Sequence, residues 1–242
     1  MEAYQLDFKK NGFVKVENLL NKSEVLELAS IYTELLSDKE KTAHLRSDLA
    51  GAGNTSDKVE RITQIMRPSI VDTKLAEHIA YKKAKQWAQN LLGDDMELDF
   101  DMLINKAPNT DTETPWHQDA AYWIAMPDKR AVSCWIALDK VFEENGCMWF
   151  IPRSTDETIL KHQNLPNGGA LYCETETKNA HCVPLEAGSC TFHDGFTLHF
   201  SKGNSTNVQR RALILNFRPK GMIAYEREKV VDHTGERKSR NS

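Results

Sequence analysis

From Met96 onward the chain is a succession of short segments rich in β-branched and aromatic residues, separated by turn clusters: "MELDFDMLINK", "AVSCWIALDKV", "CMWFIP", "GALYCET", "HCVPL", "SCTFHDGFTLHFS" and "RRALILNFRP". Residues of these types fit a pleated, half-buried surface. Seven or eight such strands with no helical pattern between them predict an antiparallel sandwich or barrel. Everything before Met96 reads differently, and it is expected to pack as helices on one outer face of that β structure.

In the N-terminal part, "GFVKVENLL" alternates like a short strand, and "NKSEVLELASIYTELLSD" repeats apolar residues at helical spacing. Asn21 followed three residues later by Glu24 predicts a capping box, with Leu19, Leu20, Val25, Leu26, Leu28 and Ile31 in the buried stripe. A second helix is predicted from Asp72 to Leu92, stopped by Gly93. Between them, residues 39–61 are polar, with Gly51, Gly53 and Asn54 marking a loop long enough to act as a lid. The last stretch, about 225–242, is charged and poorly patterned and is expected to be a loose tail. With no internal repeat, residues 1–242 are expected to form a single domain: a helical part to about residue 95, a β core over about 96–220, then the tail.

Composition sets limits on function. Apolar residues make up 40% and charged residues 27%, and the net charge is −4, a balance that offers no field to gather nucleic acid. No window approaches the roughly 18 apolar residues of a membrane span, and "MEAYQLDFKK" lacks the features of a signal peptide, so the expectation is a cytoplasmic protein with no membrane partner. The five cysteines form no C-x-x-C and are expected to be buried free thiols.

The chemistry-bearing stretch is "TPWHQDAAYW". On a strand, residues i and i+2 point to the same side, so His117 and Asp119 offer an imidazole nitrogen and a carboxylate to a common point. Eight histidines and thirty-five acids in 242 residues yield about one such pair by chance. The pair gains weight from a second cluster, "FHDGFTLHFSKGNSTNVQRRALILNF", which holds His193, His199, Arg210 and Arg211. One further histidine completes a facial triad of two His and one carboxylate, the arrangement associated with non-haem Fe(II) oxygenases. An arginine supplies the planar, permanently charged fork that the far carboxylate of a dicarboxylic 2-oxo acid requires. Adjacent strand residues face opposite sides, so only one of Arg210 and Arg211 points inward. Alternation does not choose between them, because both phases of "ALILNF" are apolar.

"WHQDAAYW", "VSCWIALDKVFEENGCMWFIPRS", "HFSKGNS" and "QRRALILNFRP" resemble, in order, the motifs of the phytanoyl-CoA dioxygenase family, and "NGFVKVENLLNKSEV" resembles its opening segment. The resemblance covers nearly the whole chain. It implies a double-stranded β-helix, a jelly-roll or cupin-like barrel, with Fe(II), 2-oxoglutarate and O2 as cofactor and cosubstrates. It implies His117, Asp119 and His199 as iron ligands, Arg210 as the carboxylate clamp with Ser201 beside it, and Trp135 against the cosubstrate. His193 matches a position that the family often fills with histidine without using it as a ligand. Where "NGALWVIPGSH" is typical, this chain has "NGCMWFIPRST", so Arg153 and Thr155 depart from the pattern.

The function so implied is hydroxylation of an unactivated C–H of a small organic substrate with release of succinate and CO2. Asp119 argues against halogenation, since halogenating relatives carry a small residue there. Trp116, Gln118, Tyr122 and Trp123 flank the triad and are candidates for the pocket wall. Two rivals are a metal-dependent barrel enzyme that does not use 2-oxoglutarate and a non-catalytic binding module.

Overall fold

The computed structural model describes residues 1–51, 60–153, 157–166 and 169–234. Its N-terminal part holds helix α1 (Glu2–Asn11), strand β1 (Phe13–Val16), helices α2 (Lys22–Ser37) and α3 (Lys39–Thr42), strands β2 (Arg46–Asp48) and β3 (Ile62–Met66), and helices α4 (Thr73–Glu77) and α5 (Ile79–Leu92). Then come β4 (Met96–Lys106), β5 (Thr114–His117), β6 (Val132–Ala137), β7 (Met148–Phe150), β8 (Gln163–Asn164), β9 (Leu171–Tyr172), β10 (His181–Val183), β11 (Cys190–Asp194), β12 (His199–Ser201), β13 (Arg210–Pro219) and helix α6 (Lys220–Glu228).

The strands form a seven-stranded sheet in the order β1-β11-β6-β13-β4-β3-β2, a four-stranded sheet in the order β10-β7-β12-β5, and the small pair β8-β9. All pairings are antiparallel. Two apolar clusters follow from strand alternation. Cys134, Ile136, Leu213, Leu215 and Phe217 meet the helices through Leu28, Tyr32, Leu35, Ala84 and Ala88. On the opposite face, Met102, Trp135, Ala212 and Ile214 meet Met148 and Phe150 of the smaller sheet. This is the expected mainly-β fold with helices on one outer face, two facing sheets of a double-stranded β-helix, although neither sheet closes on itself. Among the described residues no helix is long and apolar enough to cross a membrane.

The N-terminal part is less purely helical than the sequence suggests, because β1, β2 and β3 are strands of the large sheet. The Asn21–Glu24 capping box is present at the start of α2. The predicted helix over Asp72–Leu92 is two helices. At His78 the backbone turns extended (ψ 139°), and its ring caps α5 by accepting the N–H of Ala80 through Nδ1. The ring's Nε2 donates to the Glu24 carbonyl at the head of α2, so the break ties two helices together. Helix α1 was not expected, since Phe8 is its one buried residue and leaves no periodic stripe to read. The predicted loop 39–61 is partly ordered, as α3, a 3-10 turn and β2; Gly53 and Asn54, and with them much of the proposed lid, lie outside the described residues.

The expected loose tail needs the same correction as far as residue 234. Helix α6 and the turn after it place Glu226 and His233 against a buried charge cluster on the sheet. There Arg218 Nε donates to Asp99 Oδ2 at 2.8 Å, Arg227 holds the other Asp99 oxygen at 2.5 Å, and the Arg218 guanidinium stacks on Trp123 at 3.8 Å. Asp99 is the residue skipped in the β4–β13 register, a bulge that frees its side chain to take these partners. Burial alone would raise its carboxyl. The His233 hydrogen bond and the Arg218 charge outweigh that and hold it below the usual carboxylate range.

Two outcomes follow from the cluster. Asp99→Ala leaves Arg218 buried without that partner and is expected to cost about 3–5 kcal/mol in urea unfolding at neutral pH. Because the folded pKa of Asp99 is depressed, its contribution is present above the ordinary carboxylate range and is lost as pH falls through that range toward the lowered value. The gap between parent and variant is therefore expected to narrow on acidification.

Candidate active site

His117 ends β5 and lies directly opposite His199 on β12, with ring centroids 4.1 Å apart. Each ring donates Nδ1–H to the backbone carbonyl two residues earlier, His117 to Pro115 at 2.7 Å and His199 to Thr197 at 2.9 Å. A carbonyl only accepts, so the proton sits on Nδ1 and Nε2 carries the lone pair, which is the tautomer a metal ligand needs. Asp119 completes the group: one ligand atom from each of His117, Asp119 and His199 lies within 4.8 Å of the others, and all three residues are buried.

The route to this arrangement differs from the predicted one only in where the strand ends. Gln118 is extended (φ −121°, ψ 132°), and His117 and Asp119 converge as expected, but Asp119 itself is past the strand. The strand stops at His117, and Asp119 opens a 3-10 turn over Asp119–Tyr122. Gln118 fastens that turn: its side chain donates to the carbonyls of Thr158 and Phe196 and accepts the N–H of Leu160. Gln118 is thus a tether and not pocket wall. Of the other flanking residues, Tyr122 lines the cavity, Trp116 stacks on Phe200, and Trp123 covers Gly195 and Arg218.

Two residues that the motif reading did not single out as supports hold the Asp119 carboxylate, and a third positions one of them. Ser133 Oγ donates to Oδ2 at 2.9 Å and itself accepts from Asn216 Nδ2 at 2.8 Å. His193 Nε2 stands 3.5 Å from the same oxygen. Oδ1 faces His199 Nε2 at 3.8 Å. Burial would raise the Asp119 carboxyl, but the His193 hydrogen bond and the neighbouring histidines hold it well below the usual range. Burial, then the neighbouring His117, push His199 well below the ordinary imidazole range, toward the neutral ligand form.

The cluster opens into a solvent-connected cavity with about 590 Å³ of space not filled by protein atoms, open solvent included. Arg210 reaches it from the start of β13, 2% exposed, with its guanidinium 5.3 Å from the centre of the Trp135 ring. Ser201, Met102, Met148 and Ile214 also line it. Among the described residues Arg210 makes no ion pair, and its Nε has no hydrogen-bond partner. Burial lowers it to about 10. Arg211 faces the helices instead, where it pairs with Asp139 and donates to Thr33. Opposite Arg210 in register stands Lys106, fully buried, whose Nζ contacts the carbonyls of Thr112, Ser201 and Lys202. Burial and Arg210 push Lys106 well below the ordinary lysine range. Three carbonyl acceptors nevertheless require three N–H donors, and only the ammonium has them.

Arg153 pairs with Asp194 at 2.7 Å, and Thr155 lies outside the described residues. Asp99, Glu226 and His233 form a second group of metal-ligand types, but Arg218 and Arg227 already neutralise its carboxylates. The donor set at His117, Asp119 and His199 has no such cation beside it and fits a divalent transition metal. His193→Phe or Ser133→Ala is expected to weaken Mn(II) binding by roughly 10–100-fold. Titration followed by the EPR signal of free Mn(II) measures this, and unchanged affinity in both variants would mean the turn alone sets the carboxylate.

The sequence matches the phytanoyl-CoA dioxygenase (PhyH) family over residues 8–212. A probable phytanoyl-CoA dioxygenase of Caenorhabditis elegans is 23% identical over 235 residues, covering 90% of this chain and 75% of that protein. Among solved structures, EvdO2 from Micromonospora carbonacea var. aurantiaca complexed with 2-oxoglutarate superposes with a TM-score of 0.72 at 24% identity, over 90% of each chain. The epimerase SnoN in complex with Fe3+, alpha ketoglutarate and nogalamycin RO gives 0.72 at 24% identity, over 89% of this chain and 82% of that one. With the family match running through both the β5 turn and β12, the chain belongs to the phytanoyl-CoA dioxygenase family.

Proposed function

We propose that this protein is an Fe(II)- and 2-oxoglutarate-dependent dioxygenase that hydroxylates an unactivated C–H of a small organic substrate. The observation that carries this reading is the unpaired buried Arg210 in the same cavity as the His117–Asp119–His199 group. A guanidinium removed from water without an anion is costly, and a cavity that keeps one there suits an anionic ligand. The far carboxylate of 2-oxoglutarate answers that need.

In this reading His117, Asp119 and His199 hold the iron. Bound iron supplies the coupling of 2-oxoglutarate decarboxylation, to succinate and CO2, with oxidation of the substrate. Arg210 binds the far carboxylate, Trp135 flanks the guanidinium, and Ser201 lies on the same wall. Met102, Met148 and Ile214 keep water from that end and so strengthen the charge pairing. Leu49, Tyr122, Ala170 and Phe200 line the same cavity and leave a largely apolar surface for the substrate.

The reading is tested without knowing the substrate. Anaerobic Fe(II) and 2-oxoglutarate are expected to give a weak visible charge-transfer band, and O2 is then expected to yield succinate. Intact protein that shows neither would favour a barrel enzyme of another kind or a binding module. His199→Ala is expected to abolish the band. Arg210→Met is expected to weaken 2-oxoglutarate binding by about 100-fold or more, while Arg211→Met stays near the parent. The reverse ranking of the two arginines would overturn the clamp assignment.

A further inference from the structure

At the edge of the smaller sheet lies a pair of thiols that the proposed reaction does not use. Cys147 immediately precedes β7, and Cys182 is the middle residue of β10; their Sγ atoms are 2.7 Å apart. Cys182 stands opposite Trp149, two residues past Cys147, so the two thiols are diagonal neighbours on one face of an antiparallel pair. Their separation is closer to the about 2.05 Å of a disulfide than the strands' pairing alone requires. The two residues differ in access: Cys147 is fully buried, and Cys182 is partly exposed. The backbone before Cys147 has little freedom to carry its thiol away. Gly146 holds φ +90°, and a Cβ there would lie 2.6 Å from the Lys202 carbonyl oxygen.

We propose that Cys147 and Cys182 form a disulfide-forming modification site, oxidised by a peroxide such as hydrogen peroxide. The sulfur of the more accessible Cys182 attacks one peroxide oxygen, the O–O bond breaks, and a sulfenic acid and one water form. The Cys147 sulfur then attacks the Cys182 sulfur and displaces the hydroxyl, which leaves as a second water with the Cys147 proton. Two thiols and one peroxide thus become one disulfide and two waters, each sulfur having given up one electron. Burial pushes both thiols up, so the reaction is expected to be slow at neutral pH and faster as pH rises. The product staples the three-residue edge strand β10 to β7, the strand that carries Met148 into the cavity and Phe150 beside His199.

The experiment uses the full chain, reduced, then exposed to hydrogen peroxide at about pH 8.5, unfolded in the presence of an alkylating agent, and examined by intact mass and peptide mapping. Two of the five cysteines are expected to escape alkylation, with peptides containing Cys147 and Cys182 joined, the link lost on reduction and absent from Cys182→Ser and Cys182→Ala. Oxidised parent is expected to melt several degrees above its reduced form, and the variants are expected to show no such shift. Five alkylated thiols after oxidation, a link between Cys134 and Cys190 instead, or a sulfenic or higher acid on Cys182 with Cys147 still free would each overturn the proposal.

Discussion

Strand β13 is buried on both faces, and that constraint sets the whole site. Helices cover one face and the smaller sheet the other, so each residue from Arg210 to Asn216 is committed by parity to the outer core or to the cavity. Arg210, Ala212, Ile214 and Asn216 fall inward; Arg211, Leu213 and Leu215 fall outward. A slip of one residue would put Arg211 in the cavity and bury Arg210 against the helices, so in the proposed function the register decides which arginine meets the ligand. The same parity on β6 turns Ser133 and Trp135 inward, one to the Asp119 carboxylate and one to the Arg210 guanidinium.

Strand content was legible because short runs rich in β-branched and aromatic residues, set off by turn clusters, recur from Met96 onward. The choice between Arg210 and Arg211 was not legible from alternation: a doubly covered strand is apolar on both phases, so the signal that normally separates inside from outside is absent. The family resemblance pointed to Arg210, and the side-chain contacts place it in the cavity. Ser133 and Asn216 did leave a trace, each a lone polar residue on the inward phase of an otherwise apolar run. The turn at Asp119 left none, since its cause is the Gln118 side chain reaching carbonyls at Thr158 and Phe196, contacts that no local pattern encodes. The folded part of the tail was hidden for a related reason. Glu226 and His233 look like solvated charge until Asp99 and Arg218, more than a hundred residues away from the first of them in the case of Asp99, are brought beneath them.

The protein buries its cations in three ways. Arg218 is matched by carboxylates and an aromatic face, and it serves to fix a helix. Lys106 is matched by three backbone carbonyls, which hold the chain around Thr112, Ser201 and Lys202 to β4. Arg210 has the Trp135 ring and little else. The contrast separates two charges matched inside the fold from a third that, in the proposed function, is matched by the ligand's far carboxylate.

Arg210 and Lys106 stand opposite each other in register, two buried side chains of like charge. Burial and the Arg210 charge both disfavour the Lys106 ammonium there, and in the proposed function the far carboxylate of the ligand would offset that cost. In the proposed function, ligand affinity and stability are therefore linked: a carboxylate that binds beside Arg210 would stabilise the folded chain as well. A chain relieved of that cost by mutation would fold more firmly and recognise less.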